Sequence, residues 1–194
     1  MLSALLQQLK AILGFKPKSN PEPKSNTEQK QKRKKSAYMP GIGFNPVNRR
    51  INYLKGNGRK VLLINNRCAK NPTYQELVDF LKVDETEKIE YKPNRFVCAD
   101  FAQLLHNRAE KYGIRAAWVA VRFKNGDLHA CNAFRTIDKG LVFIDCTNSQ
   151  LHFDGIGYDS TVIVRNNHEY KPTEITDGWQ YDLMGITEKY QLYW

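Results

Sequence analysis

A chain of 194 residues, of which 41% are hydrophobic and 11% aromatic, can bury a proper core, which predicts one globular domain with additional segments. The net charge of +10 is concentrated near the start. Residues 1–40 carry nine Lys or Arg against Glu22 and Glu28, whereas residues 41–194 carry 21 basic and 18 acidic side chains. The basic character therefore belongs to the N-terminal segment and not to the domain, and nucleic acid is not an expected partner.

Residues 1–15 are predicted to form an amphipathic helix, because their large apolar side chains recur on one helical stripe. These side chains are Leu2, Leu5, Leu6, Leu9, Ile12 and Leu13. The stretch is too short and too polar to span a bilayer, and it lacks the charged start, unbroken apolar run and cleavage site of a signal peptide. We expect it to lie on a membrane surface, to bind a protein partner or to dock on its own domain.

Residues 16–40 are predicted to be a disordered basic linker, because residues 16–36 contain no aliphatic side chain that could be buried. Their cluster KQKRKK suits anionic lipid or nucleic acid, but a solubilising spacer is the favoured interpretation. Segment 1–37 is thus the expected contact with an anionic membrane surface or a protein partner. A cytoplasmic location is favoured, with membrane association left open, and the domain is predicted to occupy residues 41–194.

The domain is predicted to begin with a strand and a helix. The apolar run KVLLINN at 60–66 is typical of a strand, and NPTYQELVDFLK after it is typical of a helix. Thr73 and Glu76 have the spacing of a capping box, in which each side chain pairs with the backbone N–H of the other. The expected buried face comprises Tyr74, Leu77, Val78 and Leu81.

Residues 94–113 read NRFVCADFAQLLHNRAEKYG and predict a second helix. Its apolar face comprises Phe101, Ala102, Leu105, Ala109 and Tyr112, at the spacing of three and four that a helix requires. Cys98 lies near the middle of this face, about one turn into the helix if Asn94 is the N-cap, while Asp100 points the other way. Gly113 is the expected C-cap.

A β-meander is predicted to follow this helix. The proposed strands are IRAAWVAVRF at 114–123, DLHACNAFRT at 127–136, LVFIDCT at 141–147 and TVIVRNN at 161–167, the last being the weakest. Asn125-Gly126 is a strong hairpin signal, and a turn at Asp138–Gly140 reverses the chain again. The first strand is apolar throughout, as is typical of a central strand that is buried on both faces. The predicted fold class is α+β, with the helix packed on one face of the sheet.

The thiol of Cys98 is either a packing group or a nucleophile. Free cysteine is often buried as a small hydrophobe, but the first turn of a helix also favours a thiolate. A nucleophilic thiol needs a base and a third group that orients the imidazole, and His129 and Asp145 lie on successive predicted strands. An odd-numbered loop closed by Gly140 would place these two residues on the same face of the sheet. A catalytic role for both residues therefore predicts the register in which their two strands pair.

These residues resemble the transglutaminase-like domain family of the papain-like superfamily. The similarity rests on FVCADFAQLLHNRAEKYGIRAAWVAVRF, HACNAF and GLVFIDCT. The matching features are a cysteine that opens a helix, a Gly-Ile-Arg-Ala stretch that enters a strand, a histidine, and an aspartate in Asp-x-Thr. The match is strong over about 95–147 and loose over 60–94.

The resemblance implies a papain-like/transglutaminase-like core in which the nucleophile helix packs on an antiparallel meander. It implies that Cys98 is the nucleophile, His129 the general base and acid, and Asp145 the group that orients it. A thioester formed from a protein or peptide amide would then be attacked by an amine or by water. The oxyanion hole would use the Cys98 N–H and a second donor, for which Tyr91 and Asn94 are candidates.

Two other interpretations of the domain stay open. One is a binding or scaffold module that keeps the fold without turnover, although such modules are free to lose one member of the triad. The other is a metal site built from Cys98, His129, Cys131 and Cys146, which is disfavoured because the cysteines show no CxxC spacing. We expect no cofactor and no metal, and the calcium sites of large animal transglutaminases have no room in this chain.

Overall fold

The computed structural model describes residues 43–147 and 157–194 of the chain. The helix predicted at 1–15 and the linker at 16–40 lie outside the described residues. In chain order the elements are β1 (Pro46–Leu54), β2 (Lys60–Asn66), α1 (Tyr74–Leu81), a 3-10 turn (Thr86–Lys88), α2 (Cys98–Tyr112), β3 (Ala117–Phe123), β4 (Leu128–Thr136), β5 (Gly140–Asp145), β6 (Ser160–Val162), β7 (Glu169–Tyr170), β8 (Thr173–Glu174) and β9 (Gly185–Tyr193). Neither helix in this part of the chain is long and apolar enough to cross a membrane.

The described strands form two antiparallel sheets. β1 and β2 make a hairpin, and the other seven strands follow the order β7-β9-β3-β4-β5-β6-β8. The predicted meander β3-β4-β5-β6 is therefore confirmed, with β3 in the interior of the sheet. β3 begins at Ala117, three residues later than predicted, and β6 ends at Val162. β9 was not predicted, although it pairs with β3 along most of its length.

The large sheet has an apolar core on each face. On one face, α2 packs against even-numbered residues of β3 and β4 such as Trp118 and Ala130. On the other face, odd-numbered residues of the same strands, including Val121 and Cys131, pack against side chains of β6 and β7. This alternation is the two-residue period of strands that are buried on both sides. The observed architecture is a mixed helix-and-sheet fold of the α+β class.

The first helix has the predicted start and a slightly different buried face. Thr73 and Glu76 form the capping box, since the Thr73 Oγ1 accepts the Glu76 N–H at 3.1 Å and Glu76 Oε2 accepts the Thr73 N–H at 2.7 Å. Leu77 and Leu81 are buried as expected, and Phe80 is buried with them, whereas Tyr74 and Val78 of the predicted face are only half-buried. Phe80 lies outside the predicted apolar stripe, but its ring packs in the core and contacts the ring of Tyr112 of α2 at a centroid distance of 5.2 Å.

The second helix begins later than predicted. Its N-cap is Val97, and Asn94 instead lies in a preceding turn with a left-handed backbone conformation (φ 62°). Cys98 is therefore the first residue of α2. The prediction that Asp100 points away from the protein is wrong, because its carboxylate folds back to accept the Val97 N–H at 3.1 Å and the Gly56 N–H at 2.8 Å. Two backbone donors thus hold Asp100 inside, where it is only 5% exposed.

Candidate active site

Cys98 lies half-buried at the N-terminal end of α2. The carbonyl of Val97 accepts the N–H groups of Asp100 and Phe101, at 2.7 and 3.1 Å. Within 43–147 and 157–194, the N–H groups of Cys98 and Ala99 have no hydrogen-bond acceptor. Unpaired N–H groups and the positive end of the helix dipole favour a negative charge at this position, either on the thiol or on a bound oxygen atom.

His129 lies beside Asp145 and near Cys98. The His129 Nε2 atom lies 2.7 Å from Asp145 Oδ2. The Cys98 side chain lies close enough to the same ring to raise its pKa. The structure therefore brings the three predicted site residues together, with the imidazole paired to the carboxylate and the thiol nearby.

The register of β4 and β5 produces the pairing of His129 with Asp145. Thr136 pairs with Gly140 across a three-residue loop, and Gly140 has the positive φ of 72° that such a loop requires. An odd-numbered loop puts His129 and Asp145 on the same face of the sheet, because side chains alternate with a period of two. The predicted register is confirmed.

The Asp145 carboxylate is buried and fully hydrogen-bonded. Its Oδ1 atom accepts the Thr147 N–H at 2.9 Å, and its Oδ2 atom faces His129 Nε2 and accepts the Tyr170 hydroxyl, each at 2.7 Å. Burial alone would raise the pKa of Asp145, but the His129 charge and these hydrogen bonds hold the pKa below its usual value. Asp145 is therefore ionised although it is only 4% exposed.

The same charges act on His129. Burial alone would lower the pKa of His129, but the Asp145 carboxylate and the Cys98 side chain outweigh it and raise the pKa to about 10. The imidazole therefore carries a positive charge at neutral pH. A cationic imidazole beside a carboxylate and near a thiol is the charge pattern that nucleophilic thiol chemistry requires.

Two aromatic residues that the sequence did not indicate hold the His129 ring. Phe123 stacks on the ring with a centroid distance of 6.2 Å and an interplanar angle of 18°. Tyr170 packs edge-on at 5.2 Å and also donates its hydroxyl to Asp145. Gly185 lets Phe123 lie close, because a Cβ at this position would meet the ring at 2.9 Å. No local signal marked Tyr170, which lies 25 residues beyond Asp145 in the chain.

The two candidates for a second oxyanion donor, Tyr91 and Asn94, differ in burial and in their proximity to Cys98. The pKa of Tyr91 is raised by burial and by the nearby Cys98 side chain, which places the Tyr91 hydroxyl in the electrostatic environment of the thiol. Asn94 is exposed and its side chain makes no hydrogen bond with the described residues. Trp118 donates its indole N–H to the Ala99 carbonyl at 3.4 Å, so it supports the helix start. Tyr91 is thus the better-placed candidate of the two.

The other described cysteines do not join Cys98 in a metal site. Cys131 and Cys146 are buried in separate cores, on opposite faces of the sheet. Burial raises the pKa of both thiols well above the usual value, which keeps them protonated. Among residues 43–147 and 157–194, no group of three or more His, Cys, Asp or Glu side chains has an arrangement that could hold a metal ion.

Comparisons with known protein families, with curated proteins and with solved structures found no match to this chain. The site is therefore interpreted from its own residues. Its features are a half-buried thiol at a helix N-terminus, a charged imidazole and a buried, ionised carboxylate. This arrangement suits nucleophilic chemistry at a carbonyl carbon.

Proposed function

We propose that this protein is a cysteine-dependent enzyme that transfers or hydrolyses acyl groups of protein or peptide amides. In this proposal Cys98 is the nucleophile, His129 the general acid and base, and Asp145 the group that holds the imidazole in its reactive orientation. The observation that carries the proposal is the His129 ring, which hydrogen-bonds Asp145 through Nε2 and lies near enough to Cys98 for that side chain to raise its pKa. We further propose that the domain belongs to the transglutaminase-like, papain-like group of folds.

The proposed first step forms a thioester. The Cys98 thiolate attacks the amide carbonyl carbon, and the resulting oxyanion is stabilised by the unpaired Cys98 N–H and by a second donor such as the Tyr91 hydroxyl. His129 gives a proton to the leaving nitrogen, so the C–N bond breaks and an amine or ammonia departs. The enzyme then holds the acyl group as a thioester beside a neutral imidazole.

The second step releases the acyl group. A primary amine or a water molecule attacks the thioester carbonyl, and His129 accepts a proton from this nucleophile. The C–S bond breaks, the thiolate is restored, and the imidazole is again a cation beside Asp145. Attack by an amine gives transfer, whereas attack by water gives deamidation or cleavage. The triad is the same in each case, and the acceptor selects the product.

The test uses the full chain, a glutamine-containing peptide and a labelled primary amine. Amine incorporation, ammonia release and fragment release are followed together, so that transfer, deamidation and cleavage are all detected. We expect Cys98→Ala to abolish the reaction, since the thioester needs this sulfur. Cys68→Ala is the matched control, because Cys68 is also a half-buried free cysteine and should keep the parent rate.

The outcome also separates an enzyme from a silent scaffold. Equal activity of Cys98→Ala and the parent protein would overturn the assignment of the nucleophile. An inactive parent protein across a broad set of amide substrates, with Cys98 also resistant to alkylation, would favour a binding module that has this fold without turnover. For segment 1–37, we propose contact with an anionic membrane surface or a protein partner, which vesicle co-sedimentation of the full chain against a chain lacking 1–37 would test.

A further inference from the structure

A cavity lies on the large sheet where β3, β4 and β9 run side by side. Its volume is about 440 Å³, and it is lined by residues of these three strands and by Tyr53 of β1. Such a volume is in the range of ordinary ligand sites. The cavity therefore has room for an amino-acid side chain together with part of a peptide backbone.

The direction of α2 on β3 places this cavity beyond the start of the helix. Near the end of α2, Glu110 accepts the N–H of Ala116, just before β3, at 2.8 Å. In the first turn of α2, the Ala99 carbonyl accepts the Trp118 indole N–H at 3.4 Å. The helix and the strand therefore run in opposite directions, and Arg122, which lies further along β3 and lines the cavity, lies past the helix start.

The cavity is adjacent to Cys98. Cys98 is the first residue of α2 and packs against the core cluster that contains Ala120, and Ala120 also lines the cavity. Tyr53 packs on the same cluster and forms another wall. Leu128, which precedes His129 in the chain, lines the cavity and is 63% exposed, so its apolar surface is free for a ligand. A peptide whose amide lies at Cys98 would thus extend into this cavity.

Two basic residues and no acidic residue are among those that line the cavity. Arg122 pairs with Leu128 of β4 and with Lys189 of β9, so the three side chains lie in one row on the same face of the sheet. Arg122 also forms an exposed ion pair with Glu188 at 2.9 Å, which is weak in water. Within residues 43–147 and 157–194, Lys189 forms no ion pair. The cavity therefore has a positive charge that no described residue compensates.

We propose that this cavity binds an acidic side chain of the substrate, close in sequence to the amide that Cys98 attacks. The carboxylate would lie between Arg122 and Lys189, and the neighbouring part of the peptide would pack on Leu128 and Tyr53. This inference rests on the proposed function, because it names the substrate class of the same site, namely peptides with Asp or Glu near the reactive amide. The same charges disfavour a basic side chain at this position.

The binding test uses the full chain with Cys98→Ala, which cannot consume the peptide. Labelled peptides contain one glutamine and carry either Glu or Gln at each neighbouring position in turn. Fluorescence anisotropy gives the ratio of the two dissociation constants, called here the acidic preference. We expect the Glu peptide to bind at least about fivefold more tightly for one or more positions, and the preference to shrink as salt is added. The absence of a preference at every position would overturn the proposal.

Charge-removing variants assign the preference to the cavity. Lys189→Gln should lower it at least about twofold, and the addition of Arg122→Gln should bring it close to one. Lys111→Gln is the matched control, because Lys111 is also exposed but lies in the last turn of α2, about 20 Å from Cys98 along the helix axis. The basic segment 1–37 is present in every variant, so its effect cancels. An equal loss in Lys111→Gln and Lys189→Gln would show a general charge effect and overturn the proposal.

Folding must also be measured in these variants. Arg122 and Lys189 are exposed, so their removal should leave the unfolding temperature close to that of the parent. A folded double variant that keeps the full acidic preference contradicts the proposal, whereas a folded double variant that loses it supports the proposal.

Turnover distinguishes the failure of this proposal from the failure of the proposed function. In the parent protein, kcat/KM should show the same acidic preference as binding, and Lys111→Gln should keep it. Turnover without any acidic preference would overturn the cavity proposal and leave the proposed enzyme intact. An acidic preference in binding, lost in the double variant, without turnover of any peptide would support the acidic-peptide site and contradict the proposed enzyme.

Discussion

Two groups of buried carboxyl side chains in this protein have opposite electrostatic states. Asp145 is surrounded by three hydrogen-bond donors, and its pKa is held below the usual value. Glu87 and Asp159 are also buried, but each has an unpartnered oxygen and a raised pKa. Burial therefore does not decide the charge of a carboxyl group by itself. The number of donors and the sign of the neighbouring charges decide it.

This difference separates a carboxylate with a matched positive charge from two carboxyl groups whose ionisation is disfavoured. The charge of Asp145 is already matched by the charge of His129, so the pair forms a preorganised unit that can hold a proton next to Cys98. The only charge that lowers the pKa of Glu87 is that of Lys88, and burial with the charge of Asp84 outweighs it. The first group is held in its ionised form, whereas the raised pKa of the second favours its protonated form.

The largest expected effect comes from removing the charge of Asp145. Asp145→Asn keeps the shape of the side chain but no longer stabilises a cationic imidazole, so turnover should fall by roughly two to four orders of magnitude. NMR titration of the His129 ring should show the cause, with the pKa moving from about 10 toward the ordinary 6.5. Retention of parent turnover by a folded Asp145→Asn protein would contradict the role of Asp145.

The pairing of Cys98 with His129 should make this thiol the most reactive of the four cysteines. Cys131 and Cys146 are buried and protonated, so iodoacetamide at about pH 6 should label Cys98 at least about tenfold faster. Cys68 is a useful comparison, because it is half-buried and has no imidazole partner within the described residues. Peptide mapping by mass spectrometry measures each rate, and equal labelling of Cys68 and Cys98 would count against a nucleophile.

Tyr170 should contribute less than Asp145, because it supplies one of three donors to the carboxylate. Tyr170→Phe removes the hydroxyl and keeps the ring that packs on His129, so stability should fall by about 1.5–3 kcal/mol in urea unfolding. If Tyr170 positions His129 and Asp145, the pH dependence of the activity should also shift in Tyr170→Phe, because Asp145 would ionise less readily without the hydroxyl. A fall in stability without any change in the pH profile would assign Tyr170 a structural role alone.

The smallest expected effect is the pH dependence that Glu87 adds to stability. Its pKa of about 7 in the folded protein exceeds the ordinary 4.5, so folding favours the protonated form. The contribution is fully present below pH 4.5 and is lost as the pH rises through about 7. Glu87→Gln should therefore gain stability relative to the parent between pH 5 and 8, as measured by urea unfolding at each pH. A constant difference across this range would show that Glu87 does not titrate there.

The predicted local elements and the observed ones agree where short-range signals act. The capping box of Thr73 and Glu76, the left-handed Gly113 and the hairpin turn at Gly126 each appear where their sequence indicates. The three-residue turn before Gly140 also set the register of β4 and β5. The prediction of the helix start failed at Asn94, because the actual N-cap depends on Asp100 and on a donor from the distant β1–β2 loop.

The sequence by itself determined the strands of the meander, the helix that carries Cys98 and the order in which the candidate site residues follow one another. These features depend on residues a few positions apart, whose spacing encodes turns, caps and the periods of helix and strand. Tertiary structure alone decided that β9 pairs with β3, that Tyr170 donates to Asp145, and that Glu87 lies beside Asp159. Such contacts join residues far apart in the chain, and no local pattern records them, because they arise only when separate elements pack around a common core.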